Sequence, residues 1–199
     1  MLNERIIEAV SEGNSIESED FSGEIVPMAK AQTDFRNVTF SECKFLGCDF
    51  SRAGFVSALF MNCTFCDCNF ADSYWKDSRL KDCSFKKCRF MNSVFKSFEI
   101  IGGEYEETDC LKTSWNCCKI SGCKMTGTFM SEAKLKKLTL SEVEFTNVDF
   151  FRTSLSGIDL SDCVISGLMV SDSFSELKGA TINAELAAEV ARMMGIIVV

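Results

Sequence analysis

The chain has no histidine among its 199 residues and a single proline, Pro27. Without an imidazole, Ser-His and Cys-His nucleophilic pairs are excluded, as is every His-containing metal site. No apolar run approaches the roughly twenty residues that a membrane helix needs. The opening segment, MLNERIIEAVSEG, is charged within its first five residues and has no long apolar core, so it does not read as a signal peptide. A cytoplasmic location away from membranes is expected. A Gly-rich phosphate loop and a set of convergent carboxylates are missing too, so no enzyme activity, catalytic residue, cofactor or metal is expected.

Aromatic residues are abundant, and most of them follow one pattern. From Phe35 every fifth residue is apolar: Phe35, Phe40, Phe45 and so on through Trp75, Trp115 and Phe150 to Val170, twenty-eight units in unbroken register. Two residues before each lies a second, smaller set that includes Cys43, Cys48, Ala53, Cys63, Cys68, Ser73, Cys83 and Cys88. A period of five fits no helix, where five steps of about 100° leave the starting face. It fits no flat strand either, where an odd step changes face. The pattern points inward throughout only if the chain turns a corner every five residues, so that four corners close a coil of twenty. Stacking such coils predicts four inner columns: Phe40-Phe60-Leu80-Ile100, Phe45-Phe65-Phe85-Tyr105, Phe50-Phe70-Phe90-Cys110, and Phe35 through Trp75 and Trp115 to Leu155.

Twelve cysteines would mark a disulfide framework in a short secreted chain. Here they fall mainly on the small inner site and read as buried free thiols acting as small hydrophobes. A zinc site of Cys63, Cys66 and Cys68 falls short of four convergent ligands. Cys66 and Cys117 sit on outward positions and are the candidate reactive thiols, with no function attached.

The regular pattern has edges and one weak point. Residues 2–12 have helical spacing (Leu2, Ile6, Ile7, Val10) stopped by Gly13 and Asn14, which predicts a helix covering the first coil. Ile16, Phe21 and Val26 are also spaced by five but one residue out of phase, so Pro27 and MAKAQTD read as a loop that resets the register. Residues 1–34 thus form an N-terminal cap of helix, partial coil and loop, and 35–174 the repeat. At 99–110, Phe98 is too large for the small inner site, Gly103 leaves it empty and Cys110 replaces a phenylalanine, so a bend or loosening is expected. Glu99, Glu104, Glu106, Glu107 and Asp109 lie here without a base and read first as a solvated face, second as a binding site.

Residues 175–199 form the C-terminal unit. Asn183 caps a helix expected over 184–194, terminated by Gly195, and Ile196–Val199 read as a short apolar strand. Leu177, Leu186, Val190, Met193, Met194, Ile196 and Val198 offer more apolar surface than a simple cap requires, so a twofold homodimer interface is expected in preference to a cap alone.

Net charge is −8, of which −6 falls in residues 1–34 and −2 in 171–199, while 35–170 carries 17 acids and 17 bases. Bases predominate at 76–96 and 112–137. Acids predominate from 138 to 176, where only Arg152 opposes Glu142, Glu144, Asp149, Asp159, Asp162, Asp172 and Glu176. In a C-terminal dimer those acidic coils meet at the centre and would steer a basic partner surface toward it.

Units such as Cys-Asp-Phe at 48–50, Cys-Asn-Phe at 68–70 and Val-Asp-Phe at 148–150 resemble the pentapeptide-repeat family, whose consensus is A(D/N)Lxx. That resemblance implies an all-β fold, a right-handed quadrilateral β-helix. The tail residues Leu177, Lys178, Gly179, Ile182, Gly195, Ile196 and Val198 are similar to the quinolone-resistance (Qnr) group of that family. This second resemblance implies a rod-shaped homodimer that binds DNA gyrase or topoisomerase IV, partly by imitating the shape and charge of DNA, and relieves fluoroquinolone poisoning. It implies no direct binding of nucleic acid. The six acids from Glu142 to Asp172 are then the candidate partner-binding residues. Some members carry projecting loops, whereas the register here never slips between 35 and 170, which places the chain in a loop-less branch. The other reading is a structural or adaptor solenoid with an unrelated protein partner.

Overall fold

An apolar residue that must face inward every fifth position forces four corners per twenty residues, and the chain obeys this throughout. In a computed structural model describing residues 1–199, the repeat is a right-handed quadrilateral β-helix. Its sides are named here by their first regular inner residue. The Phe35 and Phe40 sides are parallel sheets of seven short strands and the Phe45 side one of eight, which counts eight coils. The Phe50 side is held by single-residue bridges from Lys30↔Asp49 to Asp149↔Met169. Register is twenty residues per coil, as in Phe55↔Trp75, Phe60↔Leu80 and Phe65↔Phe85. The expected columns are therefore the observed ones. No helix is long and apolar enough to cross a membrane.

Each corner is made by the second residue after the inner one. At every such position from Asn37 to Arg152 φ lies between 49° and 67°. An L-residue pays about 1–2 kcal/mol for that conformation, and Asn, Asp and Gly tolerate it best. Those three types fill twelve of the twenty-four corners. Inter-coil bonding and core burial offset the rest. Phe40 and Phe60 stack with ring centroids 4.6 Å apart, Phe45 and Phe65 at 4.7 Å, and Phe70 and Phe90 at 4.8 Å. Neighbouring sides meet edge to face, as Phe40 and Phe45 do at 77°. Both arrangements satisfy the ring quadrupole.

The small inner site has a second role that the sequence did not announce. The thiols of Cys63, Cys68 and Cys83 reach the backbone carbonyls of Phe40, Phe45 and Phe60 at 3.4–3.5 Å. The hydroxyls of Ser78 and Ser93 donate to the equivalent carbonyls of Phe55 and Phe70. Where the site holds Cys, Ser or Thr it therefore supplies a donor as well as a small side chain, while Ala53, Ala58 and Ala133 fill it by size alone.

The first coil departs from expectation. Pro27 closes the strand Ile25–Pro27, and the chain continues in the coil, with Met28 N–H donating to Leu46 and fully buried Ala31 to Asp49. There is no loop at MAKAQTD. The phase is reset by one residue fewer between Ala31 and Phe35, so that Ile16 lies under Phe35 and Val26 under Phe45. With no coil beneath it, Pro27 forfeits no ladder hydrogen bond. Helix α1 (Leu2–Glu12) closes this end through Leu2, Ile6 and Ala9, and Gly13 ends it with φ 69°. Ile7 and Val10 are exposed, so the buried stripe lies to one side of the expected one.

Strand pairing also passes through the fifth coil without a break, since Ile100 pairs with both Leu80 and Ile120. No bend interrupts the ladder. The loosening is internal: Phe98 is buried and turns its ring to within 5.3 Å of Trp75, filling part of the room that Cys110 concedes. Gly103, at φ 90°, is a backbone requirement, because a Cβ there would lie 2.0 Å from the Cys83 carbonyl oxygen. Gly103→Ala should therefore cost roughly 3 kcal/mol in chemical denaturation. Gly102→Ala, whose Cβ meets only the movable Asp82 side chain, should cost about 1 kcal/mol.

Candidate partner-binding surface

A stack of parallel coils ends in a row of unpaired backbone groups unless something covers them. At the C-terminal end the apolar period stops at Val170, but the coil path continues. The carbonyls of Glu176, Gly179 and Thr181 accept from Leu155, Gly157 and Leu160 N–H. Helix α2 (Ala184–Met193) then lies over the last Phe45-side strand, Val164–Ser166. Asn183 caps it, accepting from Leu186 N–H at 2.8 Å while its amide donates to the Cys163 carbonyl at 3.0 Å. Glu189 reaches back to accept from Gly167 N–H at 2.9 Å.

These contacts divide the residues expected to dimerise. Leu186 is buried in the chain's own core, and Leu177 and Val190 pack half-buried against it. Met193, Met194, Ile196 and Val198 are exposed. Helix α2 ends at Met193, with Gly195 at φ 79°. Ile196–Val199 do not form the expected strand, because no neighbouring backbone in the chain supplies the ladder a strand requires. What remains is an exposed apolar tail beside the last coil.

The six acids lie around this end on two separate faces. Glu142 and Asp162 occupy successive corners of one column, and Asp162 accepts from Ser141 Oγ at 2.8 Å and Glu142 N–H at 3.2 Å. Asp159 lies beside them on the Phe40 side, held below its usual range by hydrogen bonds from Ser161. Glu144 follows around the corner, 3.6 Å from Lys124 Nζ. Asp149 and Asp172 belong to the Phe50 side, where Asp149 accepts from Ser131 Oγ and Phe151 N–H at 2.7 Å each. Four acids thus share an edge, and two do not join them.

Elsewhere the charge bands have an explanation that reading along the chain missed. Opposite charges stack twenty residues apart: Arg79 with Glu99 at 2.6 Å, Lys86 with Glu106 at 2.9 Å, Lys112 with Glu132 at 3.8 Å. Glu99 also lies 3.8 Å from Lys119. Two of the five acids at 99–109 that had no base nearby in sequence, Glu99 and Glu106, thus find basic partners in adjacent coils. Each such exposed pair contributes little, about 0–1 kcal/mol. Glu142, Asp149, Asp159, Asp162 and Asp172 make no ion pair; Glu142 lies between Gly122 and Asp162, and Asp149 between Phe129 and Met169, none of them a base.

The outward thiols separate as well. Cys117 is exposed, whereas Cys66 is half-buried and donates to Asp67 at 3.2 Å, which raises its pKa. Among inner thiols, burial pushes Cys110 and Cys123 up to about 12. Cys63 and Cys68 face the core and Cys66 the outside, so the three do not converge.

One buried carboxylate at this end was hidden by the lapse of the repeat. Glu176 is 3% exposed, and its carboxylate accepts from Arg152 N–H at 2.9 Å and Ser171 Oγ at 2.7 Å. Burial alone would raise its pKa, but these bonds hold it below the usual 4.5. A depressed carboxylate stabilises the fold above its ordinary pKa and loses that contribution as pH falls through the folded value. The wild-type melting temperature should therefore fall more steeply than that of Glu176→Gln between about pH 5 and about pH 3, as read by circular dichroism.

A family model described as pentapeptide repeats matches the chain in eight copies, over residues 31–55, 58–96, 116–150 and 130–167. Among solved structures, a trypsin-treated form of QnrB1, a plasmid-mediated fluoroquinolone resistance protein, is 16% identical with a TM-score of 0.43. It covers 90% of this chain and 100% of its own. HetL, a pentapeptide repeat protein involved in heterocyst differentiation regulation in the cyanobacterium Nostoc sp. strain PCC 7120, is 12% identical with a TM-score of 0.27. It covers 90% of this chain and 96% of its own. No curated protein matches significantly.

Proposed function

Since the chain belongs to the pentapeptide-repeat family, with more than half its length matched, we propose that it is a non-enzymatic binding protein that acts as a C-terminal homodimer on DNA gyrase or topoisomerase IV and protects it from fluoroquinolones. The observation that carries this reading is that one end of the rod carries both an exposed apolar tail and a group of acids of which Glu142, Asp159 and Asp162 make no ion pair. A twofold contact through Met193, Met194, Ile196 and Val198 would bring two copies of Glu142, Asp159 and Asp162 to the middle of one rod. Such a zone attracts a basic DNA-binding saddle by long-range steering. Tail residues Leu177, Lys178, Gly179 and Ile182, which resemble the quinolone-resistance group, support the same choice. Mimicry is confined to this central zone, because outward of it the charges pair from coil to coil. That pairing also favours the second reading, an adaptor solenoid with another protein partner.

The deciding experiment is DNA supercoiling by gyrase in the presence of ciprofloxacin. Wild-type protein should restore activity. The combination Glu142→Gln, Glu144→Gln, Asp159→Asn and Asp162→Asn should lose about five- to thirtyfold in potency, given about 1–2 kcal/mol of lost steering and contact. No rescue at any concentration, with no co-purification of gyrase or topoisomerase IV, would sink the proposal.

Self-association is tested separately by sedimentation. The pair Met194→Glu and Ile196→Glu spares the residues that cap the chain's own core and should convert a dimer to a folded monomer of 22.2 kDa. A wild-type protein that already sediments at that mass has only a cap there.

A further inference from the structure

The parallel ladder that runs the length of the rod is interrupted once, between its last two coils. The sheets on the Phe35 and Phe40 sides end at Lys134–Lys136 and Thr139–Ser141, whereas the Phe45-side sheet continues to Val164–Ser166. At the junction below, the amides of Cys117, Lys134 and Thr139 donate across to the carbonyls of Lys136, Thr113 and Cys118 at 2.9–3.0 Å. Their counterparts at the last junction, the amides of Lys137, Ser154 and Asp159, find no acceptor in the chain. The reason is a change of corner. In the last coil Ile158 and Cys163 N–H donate to the carbonyls of Leu155 and Leu160, three residues back, at 2.9 and 3.1 Å. Below it no corner on these two sides closes in that way. A tight turn stacked on an open corner aims its peptide groups away from the ladder below. Leu135 registers the separation, being the one inner residue of the five-residue series between Phe35 and Ile165 that is not buried.

The other two sides stay joined. Val164 N–H reaches the Val143 carbonyl, Asn147 N–H that of Ser166 and Phe150 N–H that of Met169, at 2.8–3.0 Å. Beyond the junction the last coil is bonded onward, from Leu155, Gly157 and Leu160 to Glu176, Gly179 and Thr181. Along the open sides Asp162 alone reaches back, accepting from Ser141 Oγ and Glu142 N–H. The end of the rod is thus a unit bonded within itself and laddered to the rest along two adjacent sides only. We propose that this junction is a hinge: the terminal unit, from Ser154 through α2, tilts about the Phe45 and Phe50 sides and opens along the Phe35 and Phe40 sides. Local opening follows the path that breaks the fewest backbone bonds, and on the open sides there is no ladder to break. The apolar tail rides on this unit, so in a C-terminal dimer the hinge sets the angle between the two rods. The hinge itself does not rest on the proposed partner.

The test is pulsed electron paramagnetic resonance on spin-labelled full-length protein, with Cys66 and Cys117 replaced by serine and labelled chains diluted in unlabelled ones. The pairs Val56→Cys with Ser156→Cys and Arg36→Cys with Lys136→Cys lie in one column, each spanning five coils, about 24 Å at about 4.8 Å per coil. Only the first crosses the junction, on its open side. Its distance distribution should be at least about twice as broad as that of the second. A third pair, Thr64→Cys with Val164→Cys, crosses on the pivot side and should stay as narrow as the second. Equal widths for the first two pairs overturn the proposal. A third pair as broad as the first also overturns it, because that marks an end that frays on all sides. By hydrogen exchange, the amides of Lys137, Ser154 and Asp159 should exchange at least about a hundredfold faster than those of Cys117, Lys134 and Thr139. Equal protection there would mean the ladder is intact and no hinge exists.

Discussion

In-register parallel pairing at a spacing of twenty residues is the constraint on which the rest of the molecule depends. Because every residue lies directly over the one twenty before it, the coil has no freedom to choose partners. Like must stack on like inside, so rings face rings, and the small site repeats its donor over the carbonyl of the coil below. Outside, the same geometry would place like charges in contact if the sequence merely repeated itself. The alternation of basic and acidic bands from coil to coil answers that problem, turning repulsion into pairs such as Arg79–Glu99 and Lys124–Glu144.

Backbone pairing and core packing prove separable. The fifth coil exchanges large and small residues at three inner sites, yet its strands keep register with both neighbours. The first coil drops a residue, yet Ile16, Phe21 and Val26 still lie beneath Phe35, Phe40 and Phe45. Hydrogen bonds along the rod belong to the main chain, so a poor inner side chain costs packing and leaves the ladder intact. The small cavity beside Tyr105 is what that tolerance leaves behind.

The two ends solve one problem differently. Helix α1 lies across the first coil with Leu2, Ile6 and Ala9 inward and a largely acidic face outward. The far end is covered only in part, by the continuation through Thr181 and by α2, and it leaves Met194 and Ile196–Val199 outside. An apolar tail at the same end of the rod as acids without ion pairs is the asymmetry from which the proposed partner surface follows.

Periodicity is a local property, so whatever it governs could be read directly. The five-residue register gave the coil, the four columns and the burial of the cysteines, while helical spacing and capping residues gave the helices at both ends. Charge pairing was equally available, at a separation of twenty, but reading Glu99–Asp109 along the chain concealed it. Other features depended on segments that do not repeat. Where the first coil lost its residue, how Phe98 compensated for Cys110, and that Glu176 and Glu189 would tie down the last coil have no periodic signature. The sequence by itself determined which residues stack, because one repeated rule applies at every level. Only the tertiary structure decided which polar groups at the last junction and the ends find partners, because that depends on distances between segments no rule relates.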